Sequence, residues 1–145
     1  MTDENVGSPV QLDIAVGVLV NDEGRVLIAQ RPEGKHMAGA WEFPGGKVEA
    51  GETVEAALQR ELQEELGIDV SASVSLMTQP HEYPDRTVNL LVRIVTEYSG
   101  EPAGLESQAL RWEYPKNLMK TGLLPADEPI AEALRVLLSG VEEGG

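Results

Sequence analysis

Apolar positions along this chain repeat with two different periods. Residues 11–20 (QLDIAVGVLV) form a nearly continuous apolar run that predicts a buried strand. Residues 25–30 (RVLIAQ) predict the returning strand of a hairpin, with turn chemistry in Asn21, Asp22, Glu23 and Gly24 between the two. A loop rich in Gly, Pro and polar residues follows over 31–40, and residues 41–46 (WEFPGG) predict a tight glycine turn. The period then changes. Val54, Leu58, Leu62 and Leu66 recur every four residues, the stripe of an amphipathic helix with Thr53 as N-cap and Gly67 at the left-handed C′ position. Further strands are expected near 74–79, 87–98 and 108–114, and Glu128-Pro129 introduces a last amphipathic helix over 130–138. This mixture predicts an α/β (α+β) domain over 11–140, with a flexible leader at 1–10 and an acidic, glycine-rich tail at 141–145.

The phase of the acids on the first helix changes the picture. With Val54 at zero and about 100° per residue, Leu58 falls near 40°, Leu62 near 80°, Glu65 near 20° and Glu61 near 340°. Glu64 lies on the flank, near 280° on the same approximate wheel. Carboxylates that face a core cost free energy unless something cationic compensates them. Clustered carboxylate oxygens suit a hard cation, Mg²⁺ or Mn²⁺, that also bridges to phosphates. Arg60 can be a surface residue or can pair with these acids and hold their geometry. Gly45 and Gly46 allow close approach of the backbone to a metal or phosphate and offer a carbonyl ligand. Glu52, just before the helix, either favours the helix dipole or supports the metal site.

Composition narrows the partners. The chain has 145 residues, with 25 Asp+Glu against 11 Lys+Arg, a formal charge of −14. Such a surface repels nucleic-acid phosphates, so stable binding to DNA or RNA is not expected, whereas a small phosphorylated ligand can enter with a divalent cation. The absence of cysteine excludes disulfides, thiolate nucleophiles and Cys-type zinc sites. His36 and His81 form no recognisable ligand pair. Residues 1–11 are polar and acidic, unlike a signal peptide, and the apolar run 14–20 is far shorter than the roughly 20 residues of a membrane span. The expectation is a soluble, cytoplasmic protein without a membrane partner, and a monomer.

Gly46, five residues, Glu52, seven residues, then Arg60-Glu61-Leu62-Gln63-Glu64-Glu65-Leu66-Gly67-Ile68 resembles a complete Nudix box, with nine defined positions met. The resemblance runs from about Leu12 to Leu134 and is to the MutT branch of nucleotide-pool sanitising enzymes, through RVLIAQRPEGKHMAGAWEFPGGKVEAGET and LLPADEP. It implies an α/β/α sandwich with a mixed sheet between helices. It also implies that Glu61, Glu64 and Glu65, a carbonyl near Gly45 or Gly46, and Glu106 bind Mg²⁺ (or Mn²⁺), with Arg60 supporting them. Arg31, His36, Phe43, Asp85, Arg86 and Asp127 match positions that enclose the nucleotide. In this group water attacks the β-phosphorus of a nucleoside triphosphate, releasing monophosphate and pyrophosphate, and Glu61 or Glu106 takes the proton.

The resemblance favours 8-oxo-dGTP as substrate, which would make the role mutation avoidance. Asp127 stands where MutT has asparagine. An ionised aspartate only accepts hydrogen bonds, which suits the cytosine amino group and keeps CTP or dCTP open. A protonated aspartate restores the donor that the oxidised purine needs. The two other readings are a Nudix enzyme for a different nucleoside diphosphate derivative and a non-catalytic nucleotide-binding module. The intact box argues against the second.

Overall fold

Successive side chains of a strand point to opposite faces; in β1 (Val10–Val18) both faces are buried from Ala15 to Val18, while Gln11 and Asp13 nearer its start are exposed. The computed structural model describes residues 10–138. In it β1 is parallel to β6 (Arg86–Ser99), with Val10 opposite Arg86 and Val18 opposite Ile94. On its other edge β1 pairs antiparallel with β4 (Gly45–Lys47), and β6 pairs antiparallel with the edge strand β5 (Asp69–Tyr83). A second, antiparallel sheet has the order β3 (Trp41–Glu42), β2 (Val26–Gln30), β7 (Leu110–Glu113).

Each face of these strands is covered by a helix. Helix α1 (Val54–Leu66) buries Ala57, Leu58, Leu62 and Leu66 against Ala15, Leu19, Leu27 and Val95. Helix α2 (Glu128–Leu137) and the 3₁₀ segment Pro115–Lys120 bury Ile130, Leu134 and Leu118 against Val16, Val18, Val26 and Ile28. The result is the α/β/α sandwich with a mixed sheet. Burial of each large side chain contributes about 1.5–3 kcal/mol, so packing outweighs the local preferences of short elements.

Several boundaries differ from the sequence expectation. The hairpin forms only at its closed end. Asn21 accepts from Gly24 N–H at 3.0 Å and donates to the Arg25 carbonyl at 2.9 Å, and Val20 bridges Val26. Beyond that bridge β1 and β2 part into different sheets, because β4 and β6 occupy both edges of β1. Residues 41–46 are not a tight turn. Trp41 pairs with Gln30 in one sheet and Gly45 with Val16 in the other, with Phe43-Pro44 crossing between them. Strand β5 extends well past 74–79 in both directions. Its outer face carries Ser71, Ser75, Thr78 and Pro80, and three register shifts blur its alternation. Pro80 is tolerated because the strand lies at an edge. The last helix starts at Glu128 with Pro129 in its first turn, a position where proline's missing N–H costs nothing. Val10 belongs to β1, not to a leader; the rest of 1–10 and the 141–145 tail lie outside the described residues. No helix among those residues is long and apolar enough to cross a membrane.

The ends of α1 follow the sequence expectation. Thr53 Oγ1 accepts from Ala56 N–H at 3.1 Å, and Gly67 at φ 72° donates its N–H to the Gln63 carbonyl at 3.0 Å. A Cβ on Gly67 would sit 3.2 Å from Leu105 Cδ1. Gly67→Ala is therefore expected to lower the unfolding free energy by about 1–2 kcal/mol. Urea denaturation checks this: the midpoint falls while the slope is unchanged.

Candidate active site

Glu61 and Glu65 are one helical turn apart, so α1 presents both to β4 on the same face. The glycines of β4 make room. A Cβ on Gly46 would overlap the Glu61 carboxylate, and one on Gly45, whose φ is 151°, would overlap the Ala15 carbonyl. Gly45 N–H donates to Glu65 Oε1 at 3.2 Å. Arg60 organises the outer acids. It donates to Glu52 Oε2 at 2.8 Å, Glu61 Oε2 at 2.8 Å and the Lys47 carbonyl at 2.9 Å, and lies 3.7 Å from Glu64. Its hydrogen bonds hold the Glu52 carboxyl down to about 2, and the two acids raise its own proton affinity. Glu64, with 57% of its side chain exposed, stays on the flank of α1.

Glu65 is the acid left without such a partner. Burial pushes its carboxyl well above the usual range, and the charges of Glu61 and Glu106 push it further, against the single Gly45 N–H. Glu106, on the loop before β7, faces the same cleft, lined also by Lys35, Gly45, Gly46 and Gln108. As the side chains stand, no three acids among the described residues converge on one point. The donor set nevertheless fits a hard divalent cation: carboxylate oxygens, a crowded negative charge, and backbone with no side chain in the way.

A cavity of about 200 Å³ opens beside this cleft, walled by Phe43, Tyr83, Arg86, Leu124 and Asp127, with His36 at its rim. Ligand pockets for whole drug-sized molecules run to roughly 300–1,000 Å³, so this volume suits a planar base with its phosphates outside. Arg31 and Glu42 line both the cavity and the acidic cleft, joined by an ion pair at 2.9 Å. Arg31 also donates to the His36 carbonyl at 2.6 Å, tying the loop over 31–40 to the cavity.

Residues 11–134 match the family described as the NUDIX domain. The chain belongs to the Nudix family. Among its relatives, a protein of Escherichia coli K12 named 8-oxo-dGTP diphosphatase is 40% identical over 127 residues, covering 88% of this chain and 98% of the relative. Another from the same organism, named CTP pyrophosphohydrolase, is 38% identical over 122 residues, covering 84% and 90%. The solution structure of the E. coli ORF135 protein superposes with a TM-score of 0.82 at 36% identity, covering 93% of this chain and 96% of that one. The protein is thus a Nudix hydrolase of MutT type, acting on phosphoric anhydride bonds.

Of the residues singled out from sequence, this Nudix fold gathers Glu61, Glu65 and Glu106 near Gly45 and Gly46, and Arg31, His36, Phe43, Arg86 and Asp127 around the cavity. Asp85 is not brought in; its side chain is 76% exposed, 3.8 Å from Arg86, and outside the cavity wall. Glu42, Tyr83 and Gln108 were not singled out and do line the site. For Glu42 a signal existed, a lone acid amid the apolar Trp41 and Phe43; Tyr83 and Gln108 stand in no pattern.

Asp127 is the buried acid of the cavity, 6% exposed, and its Oδ2 accepts from Phe43 N–H at 3.1 Å. Desolvation raises its carboxyl to about 7, with Glu42 adding to the rise and Phe43 N–H and Arg31 opposing it. A raised folded-state value means that the native state binds the extra proton, so this group lowers stability as pH rises from the unfolded value through about 7. Asp127→Asn keeps the acceptor and removes the charge. Its stability advantage should therefore grow by about 2 kcal/mol between about pH 5.5 and about pH 8.5. Urea unfolding of both proteins at the two pH values checks this; a constant difference would mean that the Asp127 carboxyl does not titrate in the native state between them.

Proposed function

We propose that this enzyme hydrolyses 8-oxo-dGTP to 8-oxo-dGMP and pyrophosphate, with Mg²⁺ held by Glu61, Glu64, Glu65, Glu106 and a carbonyl of the Gly45-Gly46 segment. The observation that carries the substrate is Asp127, buried in the base cavity and raised to about 7. A neutral carboxylic acid offers a donor and an acceptor side by side, the complement of O6 and N7–H on 8-oxoguanine. The name of the E. coli relative, 8-oxo-dGTP diphosphatase, supports the same reading.

A bound Mg²⁺ or Mn²⁺ supplies charge neutralisation at the triphosphate and orientation for in-line attack. The protein's own groups do the rest. Phe43, Tyr83 and Arg86 wall the base, with His36 at the rim; Arg31, which lines both pockets, offers donors toward its phosphate end. Glu61 or Glu106 takes a proton from the attacking water. The water oxygen bonds to the β-phosphorus as the bridging oxygen leaves with the α-phosphate. The charge of −14 supports action on free nucleotides rather than on nucleic acid.

CTP or dCTP is the second reading, supported by the relative named CTP pyrophosphohydrolase and by what Asp127 becomes when ionised, a pure acceptor for the cytosine amino group. The deciding experiment measures kcat/KM for 8-oxo-dGTP, dGTP, CTP and dCTP with Mg²⁺ and identifies products. The expected result is a preference for 8-oxo-dGTP over CTP near pH 7 that shrinks as pH rises and Asp127 ionises. A preference for CTP across the range would make Asp127 an ionised reader of cytosine. Glu65→Gln is expected to cut kcat by about two to three orders of magnitude, a loss typical of removing one charged group from the reacting centre, with the melting temperature unchanged or raised. Ordinary turnover by that variant would overturn the metal-site assignment.

A further inference from the structure

The loop that carries Glu106 is fastened to the last turn of α1 before Glu106 is reached. Ala103 N–H donates to the Leu66 carbonyl at 3.0 Å and Leu105 N–H to the Glu65 carbonyl at 3.1 Å. After Glu106 the chain turns through Ser107 at φ 66°, a left-handed conformation that non-glycine residues adopt at a cost. Between these points stands one side-chain amide. Gln108 Oε1 accepts from Glu106 N–H at 2.8 Å, and Gln108 Nε2 donates to the Glu65 carbonyl at 3.1 Å.

The two contacts fix which way the amide faces, since a backbone N–H needs an acceptor and a carbonyl a donor, and an amide supplies both from one planar group without titrating. Gly104 closes the arrangement. A Cβ there would overlap the Gln108 carbonyl and lie 3.2 Å from its Oε1. The amide therefore spans the backbones of Glu65 and Glu106, two of the acids that line one cleft.

We infer that Gln108 is a positioning residue that sets Glu106 against Glu65 for the hydrolytic step. The inference rests on the role given to Glu106 above. A misplacement of about 1 Å at a reacting centre can lower a rate by up to about a hundredfold, and the strut controls displacement on that scale through its two backbone contacts.

The test is a double-mutant cycle of Gln108→Met and Glu106→Gln, assayed with 8-oxo-dGTP and with CTP in Mg²⁺. Methionine keeps the length and removes both hydrogen bonds. The Glu65 carbonyl retains Leu105 N–H and the Glu106 N–H is open to water, so the fold is expected to survive, with the melting temperature as the check. The expected result is a fall in kcat of about tenfold with KM within about twofold, vanishing when Glu106 is already Gln, since residues that act as a unit are not additive. Hydrogen exchange, which needs no substrate, should show faster exchange at the Glu106 amide in Gln108→Met. Equal losses of kcat in both backgrounds, or unchanged exchange at that amide, would overturn the inference. A Glu106→Gln variant with ordinary activity would remove the premise itself, a failure seen in the single variant alone.

Discussion

Glu61 and Glu65 stand on the face that α1 packs against the sheet, and the surrounding structure depends on making two carboxylates tolerable there. The helix cannot rotate them away without exposing Leu58, Leu62 and Leu66, which are fully buried. The opposing strand must then present backbone alone, and β4 does so through Gly45 and Gly46. This constraint shapes the chain before it as well. The segment from Trp41 to Lys47 leaves one sheet and enters the other, bringing Glu42 and Phe43 to the cavity just before the glycines reach the acids. A single short crossing therefore serves both halves of the site.

Positive charge is scarce in a chain with 11 Lys+Arg, and its placement is selective. Arg60 engages Glu52, Glu61 and Glu64 along one edge of α1, while Arg31 engages Glu42 between cleft and cavity. Neither reaches the inner acid, Glu65. A fold selected only for stability would place an apolar residue or a partnered acid at such a half-buried site, because an uncompensated buried carboxylate is destabilising. Retaining it there, beside a second acid on a separate loop, fits the proposed binding of a divalent cation together with its phosphate ligand.

Much of this was legible in the sequence, and the reasons for what was not are physical. The stripe of Val54, Leu58, Leu62 and Leu66 and the caps Thr53 and Gly67 are local features, so α1 could be read to the residue. The phase of Glu61 and Glu65 on that helix then exposed the conflict that marks the site. The fate of the hairpin could not be read, because whether β2 continues along β1 depends on β6, dozens of residues later, taking that edge. Residues 41–46 look like a turn because strands of two or three residues leave no alternation to detect. Strand β5 hides behind its exposed serines. Asp85 and Arg86 both match nucleotide-enclosing positions through the resemblance, yet only the arginine reaches the cavity wall and Asp85 stays exposed in the turn between β5 and β6. Gln108 carries no local signal at all, since its two partners are backbone groups of Glu65 and Glu106.

The division of the site into an acidic cleft and a small cavity also bears on how a hydrolase of this family chooses a base. On the proposed function the cleft takes the phosphates that every nucleotide carries, and so cannot discriminate among nucleotides. Discrimination would then come from the cavity, where Asp127 is the one buried acid among the described residues. An asparagine there would satisfy Phe43 N–H equally well and avoid the desolvation penalty, so stability does not explain the aspartate. What the acid adds is a change of hydrogen-bonding character with its proton: donor and acceptor when neutral, acceptor only when ionised. Glu42 raises its proton affinity and Arg31 lowers it, and that same pair forms the wall between cavity and cleft. On the proposed function, the choice of base is thus set by a charge balance at the junction of the two pockets.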